Sequence, residues 1–239
     1  MQVTVLIPAR NESATITLLL ERVRAALAPY RGEIIVIDDG SSDDTAARAA
    51  AVPGVCVIRQ RSSRGKGAAL RAGLEQARGE FVLIQDADLE YDPADYPALL
   101  EPLLAGRAQV VYGSRILGAR SGRKTGLSTW YYYLGGRFLS GLTTFLYGAR
   151  MTDVATGYKV FRTQLLRDLR LACDGFEFCP EATGKLLKQG VSIHEVPIAY
   201  FPRSVAEGKK IRWTDGFVAI WTLLRIRLGW KPKPPVRVQ

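Results

Sequence analysis

The chain has 239 residues, 47% of them hydrophobic and 23% charged, the balance of a folded domain rather than a disordered segment. A net charge of +10 argues against a cationic ligand and for an anionic one: nucleic acid, a membrane surface or a phosphorylated small molecule. Cys56, Cys173 and Cys179 are odd in number and lack C-x-x-C spacing, which argues against a disulfide framework or a thiolate metal site and for reduced thiols.

The first half alternates strands and helices. Residues 3–7 read as a strand stopped by Pro8, and Ile16, Leu19, Leu20, Val23 and Leu27 then recur at helical spacing, with Asn11 or Ser13 as cap. Residues 33–37 form a second strand, nearly all apolar, as a strand covered on both faces should be. It runs into Asp38-Asp39-Gly40-Ser41-Ser42-Asp43 and a short alanine-rich helix. A third strand over 55–58, a helix over 67–77, a fourth strand over 81–84, a helix over 93–104 and a fifth strand over 109–112 complete the series. Such alternation predicts an α/β protein with a doubly wound, mostly parallel sheet. Ligands bind such sheets at the carboxyl ends of the strands, where residues 8–12, 38–43 and 86–90 stand.

Asp86 and Asp88 follow the apolar strand directly, in Gln85-Asp86-Ala87-Asp88-Leu89-Glu90. In an extended backbone they project to one side. Two like charges there need a cation between them, and Mg²⁺ or Mn²⁺ carrying a substrate's phosphates suits one or two carboxylates. The glycines do not spell a dinucleotide site, since the first strand leads into Pro8-Ala9-Arg10-Asn11-Glu12. Arg64-Gly65-Lys66-Gly67 lacks the upstream glycine and the Ser/Thr of a P-loop; it is either a backbone approach to a diphosphate or a plain loop-to-helix junction.

In the second half, residues 127–149 carry one charge, Arg137, among Trp130, Tyr133, Leu134, Phe138, Leu142 and Phe145. They read as a helix at the headgroup level of a membrane or as a buried one. The lone histidine, His194, reads as a strand-end residue rather than a catalyst. Phe217, Ile220, Trp221, Leu224 and Leu228 recur at helical spacing ahead of the basic, proline-rich stretch from Lys231, and we read this helix as resting on anionic lipid. No leader and no spanning segment is expected.

In order, Pro8-Ala9-Arg10-Asn11-Glu12, Asp38-Asp39-Gly40-Ser41-Ser42-Asp43-Asp44-Thr45, Gly65-Lys66-Gly67, Asp86-Ala87-Asp88 and Gly113-Ser114-Arg115 resemble family-2 glycosyltransferases of the GT-A fold. Asp153-Val154-Ala155-Thr156-Gly157-Tyr158-Lys159, Phe176-Glu177-Phe178 with Glu181, Glu195-Val196-Pro197, Arg203-Ser204 and Gly208-Lys209-Lys210 are similar to the polyprenyl- and dolichyl-phosphate mannosyl- and glucosyltransferase branch. The resemblance implies a catalytic unit over 1–212, followed by an amphipathic helix and basic tail over 213–239. It implies a donor site of Pro8, Ala9, Arg10, Glu12, Asp39, Lys66, Asp86, Ala87, Asp88 and Arg115, with Mg²⁺ or Mn²⁺ on Asp86, Asp88 and Glu90. Glu90 stands where the mannosyl synthases have glutamine. Arg115, Arg137, Lys159 and Arg203 would face phosphate, and Asp153, Asp88 and Arg203 would serve the chemistry, Asp153 as base or as acceptor-orienting carboxylate.

The function so implied is inverting transfer of mannose or glucose from a GDP- or UDP-sugar to a polyprenyl phosphate, by a peripheral protein at the cytoplasmic membrane face. The alternatives are a soluble family-2 enzyme with a protein, small-molecule or polysaccharide acceptor and, more remotely, a non-catalytic nucleic-acid-binding module. Acids converging at strand ends would repel the phosphates of nucleic acid, so it is not expected as a partner.

Overall fold

Seven short strands pair edge to edge in the computed structural model, which describes residues 2–118, 127–203 and 213–229. In chain order the elements are β1 (Val3–Ala9), α1 (Ile16–Leu27), β2 (Gly32–Asp38), α2 (Thr45–Ala50), β3 (Val55–Arg59), α3 (Lys66–Gln76), β4 (Phe81–Ile84), α4 (Tyr96–Leu104), β5 (Val110–Ser114), α5 (Leu127–Tyr147), β6 (Lys159–Arg162), α6 (Thr163–Asp168), α7 (Phe178–Lys188), β7 (His194–Pro197) and α8 (Trp213–Arg227). The helix expected over 93–104 divides: Pro93–Asp95 is a 3₁₀ turn capped by the Asp92 side chain, which accepts from Ala94 N, and α4 follows it.

The sheet order is β3-β2-β1-β4-β6-β5-β7, and every neighbouring pair is parallel except those made by β6. The expected doubly wound, mostly parallel sheet is therefore present, with an antiparallel strand inserted between β4 and β5 that the sequence pattern did not reveal. Running against its neighbours, β6 begins at the edge where they end, with Lys159 opposite both Ile84 and Tyr112. That reversal brings residues 153–158 to the carboxyl edge with the other loops.

Strand side chains alternate between two packed faces, which is why the strands read as continuous apolar runs. Val3, Val5 and Ile7 of β1 join Ile16, Leu20, Leu99 and Leu103 on one face. Leu6, Val82 and Ile84 join Leu70, Phe178, Leu186 and Leu223 on the other. Through Ala219 and Leu223, α8 enters this second core. His194 opens β7 and is exposed, away from the chemistry.

Two helices keep apolar stripes in solvent. On α5, Leu134, Phe138 and Phe145 are exposed, and on α8 Phe217 and Trp221, with Leu228 just past its end. The opposite sides of both helices are buried through Leu139 and Thr143 and through Ala219, Leu223 and Ile226. Among the described residues no helix is long and apolar enough to cross a membrane. The Gly208-Lys209-Lys210 motif, Ser204 and the stretch from Lys231 lie outside the described residues.

Candidate active site

The loops after β1 and β2 are sewn together. Asn11 N donates to Ser41 Oγ at 2.9 Å, Asn11 Oδ1 accepts from Ser42 N at 2.9 Å, and Glu12 N donates to Thr45 Oγ1 at 2.8 Å. Ala9 and Glu12 are buried in this seam, whereas Arg10 is exposed and Pro8 half-buried. Asp39, expected to face the donor, is turned to the protein. Its Oδ1 accepts from Arg64 N at 2.7 Å and its Oδ2 from Gly65 N at 2.9 Å and Ser63 Oγ at 2.8 Å.

That binding bends residues 63–65 into the start of α3. Gly65 has φ of +103°, and a Cβ there would meet the Asp174 carbonyl. The amide of Ala68, in the first turn of α3, is taken by Asp174 O at 3.0 Å. Of the two sequence readings, the loop-to-helix junction accounts for this glycine. Lys66, next along, points its ammonium at Asp86 Oδ1. Burial would lower its pKa, but the Asp86 carboxylate outweighs burial and holds the lysine above its usual range.

After β4 the backbone turns instead of staying extended: residues 87–88 form a turn, and Leu89 is left-handed at φ 61°. The same-side argument for an extended Asp86-Ala87-Asp88 therefore does not apply, yet the two carboxylates remain electrostatic neighbours. Ala87 is buried, and its carbonyl accepts from Thr15 Oγ1 at 2.9 Å, while the same hydroxyl donates to Glu12 Oε2 at 3.0 Å. Among the described residues, Asp88 has one hydrogen bond, Oδ1 accepting from Glu90 N at 3.1 Å. Burial first, then Asp86 and Glu90, pushes its carboxyl up to about 7. Such a carboxylate gains from a cation.

Glu90, whose charge acts on Asp88, also bonds the segment over 200–203. Its Oε1 accepts from Arg203 N at 2.7 Å and its Oε2 from Tyr200 OH at 2.9 Å. Among the described residues, no three acids, histidines or cysteines converge on one cation position. The acids that would hold a divalent metal remain those of this loop, Asp86 and Asp88 with Glu90 beside them, substrate phosphate and water completing its shell.

From the second half, Arg203 crosses to the first, its Nη1 donating to Glu12 Oε2 at 3.0 Å. Arg115, just past β5, grips Asp153 with Nε and Nη2, both at 2.7 Å, and stands 5.0 Å from the centre of the Tyr200 ring. Asp153 is 2% exposed, and Glu195 of β7 holds the amides of Thr152 and Asp153 at 2.8 and 2.9 Å. Lys159, expected to face phosphate, is fully buried behind this loop. Its ammonium donates to the carbonyls of Val154 and Thr156 and lies 4.4 Å from the Tyr112 ring centre, and burial lowers its pKa. Arg137 is exposed on α5, one residue from Gly136, which adjoins Arg115.

Several supporting residues were not anticipated. Gln85 is fully buried, and its Oε1 accepts from Tyr158 OH at 2.7 Å and Tyr96 OH at 2.9 Å. Tyr91 OH accepts from Gly157 N at 2.7 Å, fixing the glycine whose bare Cα lies against Asp86. The only sequence signal for Gln85 is a polar residue at the close of an uncharged apolar strand.

The sequence profile described as Glycosyl transferase family 2 matches residues 4–170. Glycosyltransferase AglJ of Haloferax volcanii is 32% identical over 84% of this chain and 63% of its own length. The undecaprenyl-phosphate mannosyltransferase of Micrococcus luteus is 32% identical over 96% of this chain and 100% of its own. The chain thus spans under two thirds of the first relative and the whole of the second. Among solved structures, glucosyl-3-phosphoglycerate synthase from Mycobacterium tuberculosis with bound phosphoglyceric acid superposes with a TM-score of 0.67 at 26% identity, covering 95% of this chain and 79% of that one. Its complex with Mn²⁺, UDP and glucosyl-3-phosphoglycerate gives 0.67 at 24% identity, covering 97% and 81%. With its GT-A-like sheet, its flanking helices and its acids gathered at the carboxyl edge, the chain belongs to glycosyl transferase family 2.

Proposed function

We propose that this glycosyltransferase moves a hexose, mannose or glucose, from a nucleoside-diphosphate sugar to a polyprenyl phosphate at a membrane surface. The observation that carries the lipid acceptor is the pair of solvent-facing apolar stripes on α5 and α8. α5 also supports the site, since Val154 N, next to Asp153, donates to Ser140 Oγ at 3.1 Å. A helix lying in a membrane interface would therefore bring the loop of Asp153 and Arg115 to headgroup depth.

Asp86 and Asp88 would hold Mg²⁺ or Mn²⁺, which when bound neutralises charge on the departing diphosphate. Lys66, already on Asp86, would face the same diphosphate. Arg203 and Arg115 would supply fixed positive charge for phosphate, and the planar guanidinium suits phosphate oxygens. A phosphate acceptor arrives ionised, so the residues around it need to position and neutralise rather than remove a proton. Asp153 fits an orienting role, because both of its oxygens are engaged by Arg115.

Sugar transfer to an acceptor of unspecified kind has firmer support than the lipid acceptor, and a second reading follows from it. The likeness to the mycobacterial synthase bound to phosphoglyceric acid favours a small phosphorylated acceptor. Incubation with radiolabelled GDP-mannose or UDP-glucose and Mn²⁺, with and without polyprenyl phosphate, separates the two. Label extracted into organic solvent only when the lipid is present supports the first reading. Label confined to a water-soluble product with phosphoglycerate sinks it.

A further inference from the structure

We infer that Gln85 and Tyr158 are positioning residues: together they fix the Asp86 carboxylate against Gly157, and so tie the acid loop after β4 to the Arg115–Asp153 pair. Gln85 is fully buried just past β4, where a polar side chain is costly unless it is hydrogen-bonded. Both ends of its amide are engaged. Nε2 donates to the Asp86 carbonyl at 3.0 Å, and Oε1 accepts from Tyr158 OH at 2.7 Å and Tyr96 OH at 2.9 Å. The amide can face only one way, because the carbonyl it meets accepts and cannot donate. Burial raises both tyrosines well above their usual range, so each hydroxyl stays protonated and is a donor here.

The two tyrosines share one oxygen, but they do not lead to the same place. Next to Tyr158 stands Gly157, which has no room for a side chain: a Cβ there would meet Asp86 Oδ2 and lie 2.8 Å from the Tyr91 ring. Gln85 is bonded covalently to Asp86, and Tyr158 to Gly157. The hydrogen bond between Tyr158 and Gln85 therefore closes a ring and sets the gap in which the carboxylate sits. From its other oxygen, Oδ1, that carboxylate is held by Lys66. Tyr96 opens α4 and reaches Gln85 from a different element.

Beyond Tyr158 the contacts run on to Arg115. The Tyr91 ring centre lies 4.8 Å from that of Tyr158 and 5.2 Å from that of Tyr200, and Arg115 stands 5.0 Å from the Tyr200 ring centre. Tyr91 OH accepts from Gly157 N at 2.7 Å, and Gly113 N, on the strand that leads to Arg115, donates to Tyr158 O at 3.0 Å. Close-packed interiors transmit displacement, so a shift of Tyr158 would be felt at Asp86 and at Arg115 together.

The inference rests on the proposed metal role of Asp86 for one of its two readouts only. Mn²⁺ affinity by electron paramagnetic resonance and hydrogen exchange at the Gly157 amide by NMR are measured on the parent, Tyr158→Phe, Tyr96→Phe, Gln85→Met and Asp86→Asn. Each tyrosine variant removes one hydroxyl from the same Gln85 oxygen, so each should lower the melting temperature. Tyr158→Phe and Gln85→Met should in addition weaken Mn²⁺ binding about tenfold and speed exchange at Gly157 about tenfold. Tyr96→Phe should leave both within about twofold of the parent. Equal effects of the two tyrosine variants on affinity and exchange would reduce the network to fold stability and overturn the inference, as would unchanged values in Tyr158→Phe. The tyrosine pair decides should Gln85→Met fold poorly. If Asp86→Asn binds Mn²⁺ like the parent, the metal reading fails, and exchange at Gly157 alone judges the network.

Discussion

Arg115 and Asp153, 38 residues apart, form a two-pronged ion pair in which guanidinium Nε meets Oδ2 and Nη2 meets Oδ1, both at 2.7 Å. The main-chain N–H of Arg115 adds a third bond to Oδ2 at 3.0 Å. This pair joins the end of β5 to the loop that enters β6, and Glu195 of β7 closes the joint from behind. Three neighbouring elements at the carboxyl edge are thereby locked in one geometry.

Replacing Arg115 with alanine should destabilise the fold by about 3–5 kcal/mol, because Asp153 would stay buried without its cation. Arg115→Lys should recover part of that loss, since a lysine offers a single point of contact in place of the fork. Urea unfolding of the three proteins measures this, and equal midpoints for Arg115→Ala and the parent would refute it.

Lys66→Met leaves Asp86 with its carboxylate partly buried and its ammonium partner gone. The variant should unfold at lower temperature than the parent, by an amount equivalent to about 1–3 kcal/mol. If Asp86 is a metal ligand, millimolar Mn²⁺ should recover more stability in the variant than in the parent, by replacing the missing charge. Thermal unfolding with and without Mn²⁺ makes the comparison. A variant that melts like the parent and ignores the metal would remove Lys66 from the site.

Asp88 carries a pH prediction. Burial, Asp86 and Glu90 raise its carboxyl to about 7, whereas an unfolded aspartate titrates near about 4. Between those values the folded state holds more protons than the unfolded state, so metal-free stability falls as pH rises through this window. Metal must displace that proton. Mn²⁺ affinity should therefore climb up to about tenfold per pH unit below 7 and level off above it. Titrations between pH 5.5 and pH 8.5 check both slopes, and in Asp88→Asn both should flatten. A flat affinity profile for the parent would exclude Asp88 as the titrating ligand.

The exposed stripes make the last prediction. Phe138→Glu with Trp221→Glu places charge at the centre of both apolar faces without touching the buried sides of α5 and α8. Sedimentation with anionic phosphatidylglycerol vesicles should fall about tenfold in the double variant, while circular dichroism and melting temperature stay unchanged. The parent's binding should weaken in higher salt, since basic residues near such a surface contribute about 1 kcal/mol each before screening. Vesicle binding equal in both proteins would leave the lipid acceptor without its surface.

Much of this was legible before any coordinates. The apolar runs marked β1 to β5 to within two residues at each end, because strands packed on both faces are built mainly from apolar residues. The order of the acid-bearing loops then pointed to one edge of the sheet. β6 is hidden because its four residues, Lys159–Arg162, begin and end on a charge and so show no apolar run, and nothing local says that such a strand runs antiparallel.

What only the tertiary structure decided is which neighbour each charged side chain meets. Charge type is written in a residue's name, but an ion pair or a hydrogen bond between residues far apart in the chain depends on topology. Lys159 reads as a surface cation until the reversal at β6 buries it under its own loop. Asp39 reads as open to a ligand until the 63–65 turn supplies its donors. Glu90 reads as the third acid of a series, and only the folded chain shows that its carboxylate also meets Tyr200 and Arg203, more than a hundred positions away. Local pattern therefore determined the elements and the edge where chemistry gathers, and long-range closure of the chain decided which partners each charged side chain meets there.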